Sequence, residues 1–89
     1  MVLRIAIVGG GVMGASTALQ LAESGRFGAG EVALFERREL GAGSSGRSGA
    51  ILRCHYADRE VASMARDSLD WYAGFAAKYG ADIGYVRCG

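Results

Sequence analysis

The sequence predicts an α/β chain built on a parallel sheet, and three observations predict it. An apolar run from Leu3 to Val8 stops in three consecutive glycines. Small and apolar residues then recur at helical spacing, and a second short apolar run, "EVALFE", follows the next loop. Strand, helix, strand in this order is the unit of a parallel sheet, because parallel neighbours need a crossover connection and a helix usually supplies it.

Each element has its own justification. Leu3–Val8 is rich in Ile and Val without polar alternation, the pattern of a strand covered on both faces. A helix is expected from about Val12, with Ala15, Ala18, Leu19 and Ala22 on its packed side and Gly25 as its stop. The stretch "RRELGAGSSGRSGA" after the second strand reads as a long loop, and long ordered loops in small domains tend to carry function. Ile51 to Tyr56 is expected to extend briefly. Asp58 then caps a helix running to about Tyr79, with Gly80 beyond its end. Val61, Met64, Ala65, Leu69, Tyr72, Phe75, Ala76 and Tyr79 form an apolar stripe on it, expected to pack into a core. The final "IGYVRCG" reads as the start of a further strand.

Composition excludes several classes. A chain of 89 residues makes one small domain with one modest core. A formal net charge of +1 without a basic stripe argues against a nucleic-acid partner. Cys54 and Cys88 lie far apart, with no CxxC pair and no histidine spaced to complete a zinc site, so buried reduced thiols are expected and no metal. The N-terminal apolar stretch contains Arg4 and is too short for a membrane span, and it lacks the shape of a secretory signal. A cytoplasmic location follows by default.

The glycines carry the chemistry. Gly9, Gly11 and Gly14 spell G-x-G-x-x-G between a strand and a helix, the context that a dinucleotide-binding, Rossmann-like turn requires. Gly9 is expected to permit the tight turn, Gly11 to let a pyrophosphate approach the backbone, and Gly14 to let the helix pack on the strand. Val12 and Met13 belong to the same set, because the helix N-terminus offers unpaired N–H groups and a partial positive charge to phosphate. Glu36 closes the second strand 22 positions after Gly14, near the offset of a carboxylate that accepts ribose hydroxyls. That charge argues against a 2′-phosphate on the ribose, although Arg37 and Arg38 beside it soften the argument. Arg37 is counted with the nucleotide-binding residues.

From "IAIVGGGVMGASTALQLAESG" through "VALFERRELGAGSSGRSGAILRCHY" the chain resembles the flavoproteins typified by D-amino acid oxidase, glycine oxidase, sarcosine oxidase and dimethylglycine dehydrogenase. The resemblance implies the N-terminal portion, residues 1–89, of the FAD-binding domain of a larger two-domain flavoprotein whose substrate domain is absent from this chain. It implies that the Gly/Ser-rich loop follows the FAD pyrophosphate, a segment NAD-dependent dehydrogenases usually lack. Ser44, Ser45 and Ser48 would supply hydroxyl donors there, and Arg47 would offset phosphate charge. Dimethylglycine dehydrogenases carry a tryptophan and the flavin-linked histidine in this loop. Gly46 and Arg47 stand at the matching positions here, so FAD is expected to be non-covalent. His55, the one histidine, lies beyond that position and is read as structural.

"SGRSGAILRCHY" is similar to the corresponding segment of sarcosine oxidase β subunits, which makes Arg53 a candidate for holding a substrate carboxylate; an ordinary surface ion pair is the other reading. A second arginine of some family members is replaced by Ala50. The implied activity is oxidation of an amine or amino acid, of the sarcosine, glycine or D-amino-acid type, to an imine by hydride transfer to flavin. A piece of this size is not expected to be active alone. A NAD-dependent dehydrogenase and a non-catalytic nucleotide-binding subunit, assembled with a partner subunit, remain the alternatives.

Overall fold

A computed structural model describes residues 2–87, and the chain divides into two units, Met1–Gly49 and Ala50–Gly89. In the first unit, strand β1 (Ile5–Val8) leads into helix α1 (Val12–Glu23) and then strand β2 (Val32–Phe35). The strands are parallel, with Ile5 opposite Val32 and Val8 opposite Phe35. The Gly9 amide extends the pairing by donating to the Phe35 carbonyl at 2.8 Å. Helix α1 packs against both strands. Its end follows the sequence: Ser24 closes the last turn and Gly25, at φ +73°, takes the left-handed conformation that releases the chain.

The strands are shorter than the apolar runs, because Leu3, Arg4, Glu31 and Glu36 stand outside the ladder. Expected burial on both faces of β1 does not hold. Ile5 and Ile7 are half-buried, whereas Ala6 and Val8 are exposed, Val8 by 88%. One helix covers one face of a two-stranded sheet, and no second layer is built from these residues. Among the described residues no hydrophobic side chain is fully buried, so the modest core expected from length is not formed.

In the second unit, Asp58 caps helix α2 (Arg59–Ala73) as expected, its carboxylate accepting the amides of Glu60 and Val61 at 2.9 and 3.0 Å. The single helix to Tyr79 is corrected to two: α2 ends at Gly74, and α3 (Phe75–Tyr79) follows. Gly74 sits at φ −89°, ψ 0°, outside the helical well, and the absence of a side chain makes that departure inexpensive. Gly80 ends α3 at φ +71°, where the sequence places the stop.

The apolar stripe also needs correction, since Val61 and Met64 are exposed. Ala62, Ala65, Leu69, Trp71 and Tyr72 are the half-buried residues of α2. Trp71 meets Tyr72 and Phe75 edge-on at 5.2 and 5.3 Å, and Phe75 meets Tyr79 at 4.7 Å, so aromatic contacts join α2 to α3. Ile51–Tyr56 forms no strand and contains instead a tight turn, the Tyr56 amide donating to the Cys54 carbonyl at 3.1 Å. Cys54 is an exposed free thiol, not a buried one. Ile83–Arg87 shows no strand, and the remainder of that expected strand, Cys88 and Gly89, lies outside the described residues. Among the described residues no helix is long and apolar enough to cross a membrane.

Candidate functional site

The site is a turn of backbone with few side chains. Gly9 holds φ at +107°, a value that a residue with a Cβ adopts only under strain. Gly14 enters α1 so close to the strand end that a Cβ there would overlap the Gly9 carbonyl oxygen and meet Ile7 Cγ2 at 3.4 Å. Gly11 is the N-cap residue of α1 and has no side chain with which to cap it. Ala15 is the first residue whose amide bonds into the helix, donating to the Gly11 carbonyl at 2.9 Å. The amides of Val12, Met13 and Gly14 therefore lie ahead of the helical ladder, where a helix N-terminus collects its orphan donors. Ser45 Oγ accepts the Val12 amide at 2.9 Å. Those of Met13 and Gly14 remain for an anion, favoured by the positive end of the helix.

Glu36, just past β2, turns its carboxylate back onto this turn. Oε1 accepts the Gly10 amide and Oε2 the Arg38 amide, each at 2.9 Å. The Gly10 bond is the largest cause, followed by the Arg38 bond, that holds the carboxyl below its ordinary value of 4.5; the charge of Arg37 adds to the effect. Glu36 is thus anionic at neutral pH. Each oxygen retains a lone pair after its amide bond, which is what two ribose hydroxyls require.

Sequence reasoning missed Gly10, Leu40 and Gly41. Gly10 is the one buried residue among those described. Its amide goes to Glu36, and its carbonyl accepts the Gly41 amide at 2.9 Å. A Cβ on Gly10 would lie 2.6 Å from Leu40 Cδ2 and 3.1 Å from Glu36 Cβ. The signal was present as a third glycine in a row, at a position the G-x-G-x-x-G pattern leaves open.

The structure brings Gly9, Gly11, Val12, Met13, Gly14, Glu36 and Ser45 together. Ser44 and Arg47 bound a single 3-10 turn, Ser44–Arg47, and Ser48 follows it. Arg37 is exposed beside Glu36. Arg53 belongs to the second unit, with its guanidinium 5.3 Å from the centre of the Tyr56 ring. A hollow of about 290 Å³ in the first unit is lined by Ala22, Phe27, Gly28, Ala29, Gly30 and Val32, at the far end of α1 from the glycine turn. The cradle is accordingly marked by its hydrogen-bonding groups, not by enclosed volume. Open amides at a helix N-terminus, clearance at Gly9, and an ionised carboxylate with spare lone pairs suit the pyrophosphate and unphosphorylated ribose of an adenine dinucleotide.

Comparison with known proteins bears on which dinucleotide. The model of a family described as FAD dependent oxidoreductase matches residues 4–89. The chain is 30% identical over 87 residues to the 4-methylaminobutanoate oxidase (formaldehyde-forming) of Paenarthrobacter nicotinovorans, an alignment covering 98% of this chain and 10% of the relative. It thus spans about a tenth of the length of the curated relative it matches. No solved structure matches it significantly.

Proposed function

Since the chain belongs to the FAD dependent oxidoreductase family, with FAD as its cofactor, we propose that it is the nucleotide-binding segment of an enzyme that oxidises an amine or amino acid. The observation that carries the amine is the likeness, along nearly the whole chain, to an enzyme named for oxidising 4-methylaminobutanoate. That compound is a secondary amine bearing a carboxylate, as sarcosine is, and glycine shares the carboxylate and an amine, though a primary one. Bound FAD would supply the hydride acceptor for the carbon next to the substrate nitrogen, leaving an imine that water would hydrolyse.

The residues of this chain bind and orient. The amides of Met13 and Gly14 hold the pyrophosphate, with Gly9 keeping its approach clear and Gly11 leaving room for Ser45 at the helix N-terminus. Glu36 accepts the ribose hydroxyls, and Arg37 lies next to it. Ser44, Ser45 and Ser48 offer hydroxyls along the Gly/Ser loop, and Arg47 offsets phosphate charge. Arg53 holds the substrate carboxylate, a task suited to its planar fork of donors. The substrate domain belongs to the longer protein of which this segment is a part. A soluble cytoplasmic enzyme with non-covalent FAD completes the reading.

The test uses the purified full-length protein. Its spectrum should show bound oxidised flavin, and denaturation should release the FAD. Under anaerobic conditions 4-methylaminobutanoate, sarcosine, glycine and a D-amino acid are each added, and bleaching of the flavin by at least one is the expected result. A yellow protein that none of these bleaches would overturn the amine assignment. In Gly11→Val the branched side chain would press on Ser45 Oγ, which a Cβ at this position meets at 3.1 Å, and disturb the helix N-terminus that receives the pyrophosphate, so FAD should be lost. A variant retaining stoichiometric FAD would place the phosphates elsewhere.

A further inference from the structure

An α-helix that must receive a phosphate at its N-terminus faces a conflict. Its first amides are best satisfied by the side chain of the N-cap residue, but that side chain would occupy the space the ligand needs. Here the N-cap is Gly11, with no side chain to offer. The cap arrives from 33 residues away, where Ser45 Oγ accepts the Val12 amide at 2.9 Å. Ser45 also sits where a Cβ on Gly11 would point, 3.1 Å from its Oγ.

The same loop is fastened to the turn at two further points. The Gly41 amide donates to the Gly10 carbonyl, and Leu40, although 69% exposed overall, brings its Cδ2 over Gly10 so closely that a Cβ there would be 2.6 Å away. Glu36 holds the other side of Gly10 through its amide. A glycine-rich turn has many conformations available, and this seam removes them before any ligand arrives.

We propose that Ser45 and Leu40 are positioning residues of the FAD site, acting through the glycine turn that they hold: Ser45 as a remote cap of α1 and Leu40 as the clasp on Gly10. The inference rests on the reading of the glycine turn as the FAD site and adds to it the loop-to-turn seam that sets the cradle beforehand.

The experiment is done on the full-length protein stripped of FAD, with amide hydrogen exchange resolved at Val12 and FAD affinity measured by quenching of flavin fluorescence. Ser45→Ala should speed Val12 exchange in the apoprotein by roughly 5-fold, as expected for loss of one capping hydrogen bond, and should weaken FAD binding by a similar factor. Ser45→Thr keeps the hydroxyl and should restore both. Leu40→Ala has no polar group to lose, should move both readouts in the same direction, and carries the test if Ser45→Ala does not fold. Weaker FAD binding in Ser45→Ala with Val12 exchange unchanged in the apoprotein would mean that Ser45 only touches the cofactor, and would overturn the inference. No change in either readout would also overturn it. Failure of the wild-type protein to bind FAD would instead refute the reading of the site, while apoprotein exchange would still report on the cap.

Discussion

The two units of this chain differ in how far their side-chain hydrogen bonds reach. In Met1–Gly49 the site is closed by side chains reaching across 26 and 33 residues, from Glu36 to Gly10 and from Ser45 to Val12. In Ala50–Gly89 the bonds from the Asp58 carboxylate to the Glu60 and Val61 amides and from Asp82 to the Gly84 amide stay within two or three residues, and aromatic rings on successive turns add packing. A local bond shapes one element. A bond between distant segments fixes one element against another, and that is what a site assembled from a turn, a strand end and a loop demands. The loop-closure entropy of the first unit is recovered only when all its bonds form together, so damage there should spread further than damage in the second.

The largest effect expected from this contrast is at Gly14. Alanine there would press its Cβ onto the Gly9 carbonyl, a backbone group with little room to move. Gly14→Ala should destabilise the FAD-binding domain by about 3 kcal/mol, the upper part of the range for overpacking, and remove FAD. Thermal melting of the full-length protein with flavin release as the readout measures this. A variant that melts and binds FAD like the wild type would show that the turn can shift, and the contrast between the units would weaken.

Arg53 sharpens the comparison from the other side, because its importance is expected in catalysis and not in the stability of its unit. As the proposed carboxylate-binding group, it should cost kcat/KM roughly 30-fold or more when changed to leucine, with the melting temperature little altered. A decarboxylated amine analogue has no anion to lose and should be slowed far less. If both substrates slow equally, Arg53 positions the loop or its Tyr56 neighbour and does not hold the carboxylate.

A smaller effect is expected at Glu36 and depends on pH. Its folded carboxyl titrates below the ordinary value of 4.5 because the Gly10 and Arg38 amides favour the anion. The stability it contributes is therefore fully present above that ordinary value and is lost as pH falls through the lowered one. FAD affinity should decline over the same acid range. Glu36→Gln should bind FAD about 3-fold less tightly at neutral pH, since the amide bonds lose their charge assistance, and should flatten the acid decline. An unchanged acid decline in the glutamine variant would assign it to another group.

The glycine turn was legible in the sequence because its causes are local. A left-handed φ at Gly9 and the close approach at Gly14 act within six residues, and the pattern of glycines records both. Glu36 was found by spacing, since a strand of fixed rise puts its end at a fixed distance from the turn. The break at Gly74 was harder to see, because apolar residues continue at helical spacing across it. Trp71 is not part of the expected stripe, although it lies four residues before Phe75, and its ring reaches both Tyr72 and Phe75.

By itself, then, the sequence determined the order of strand, helix and strand, the turn between them, and the carboxylate at the end of the second strand. Periodicity, backbone sterics and short-range capping act over a few residues and leave a readable pattern. The tertiary structure alone decided that Leu40, Gly41 and Ser45 meet Gly10 and Val12, that Glu36 folds back on the Gly10 amide, and that one face of β1 is left open. Those outcomes depend on which distant segments come together, and hydrogen bonding across a closed loop leaves no periodicity in the chain that makes it.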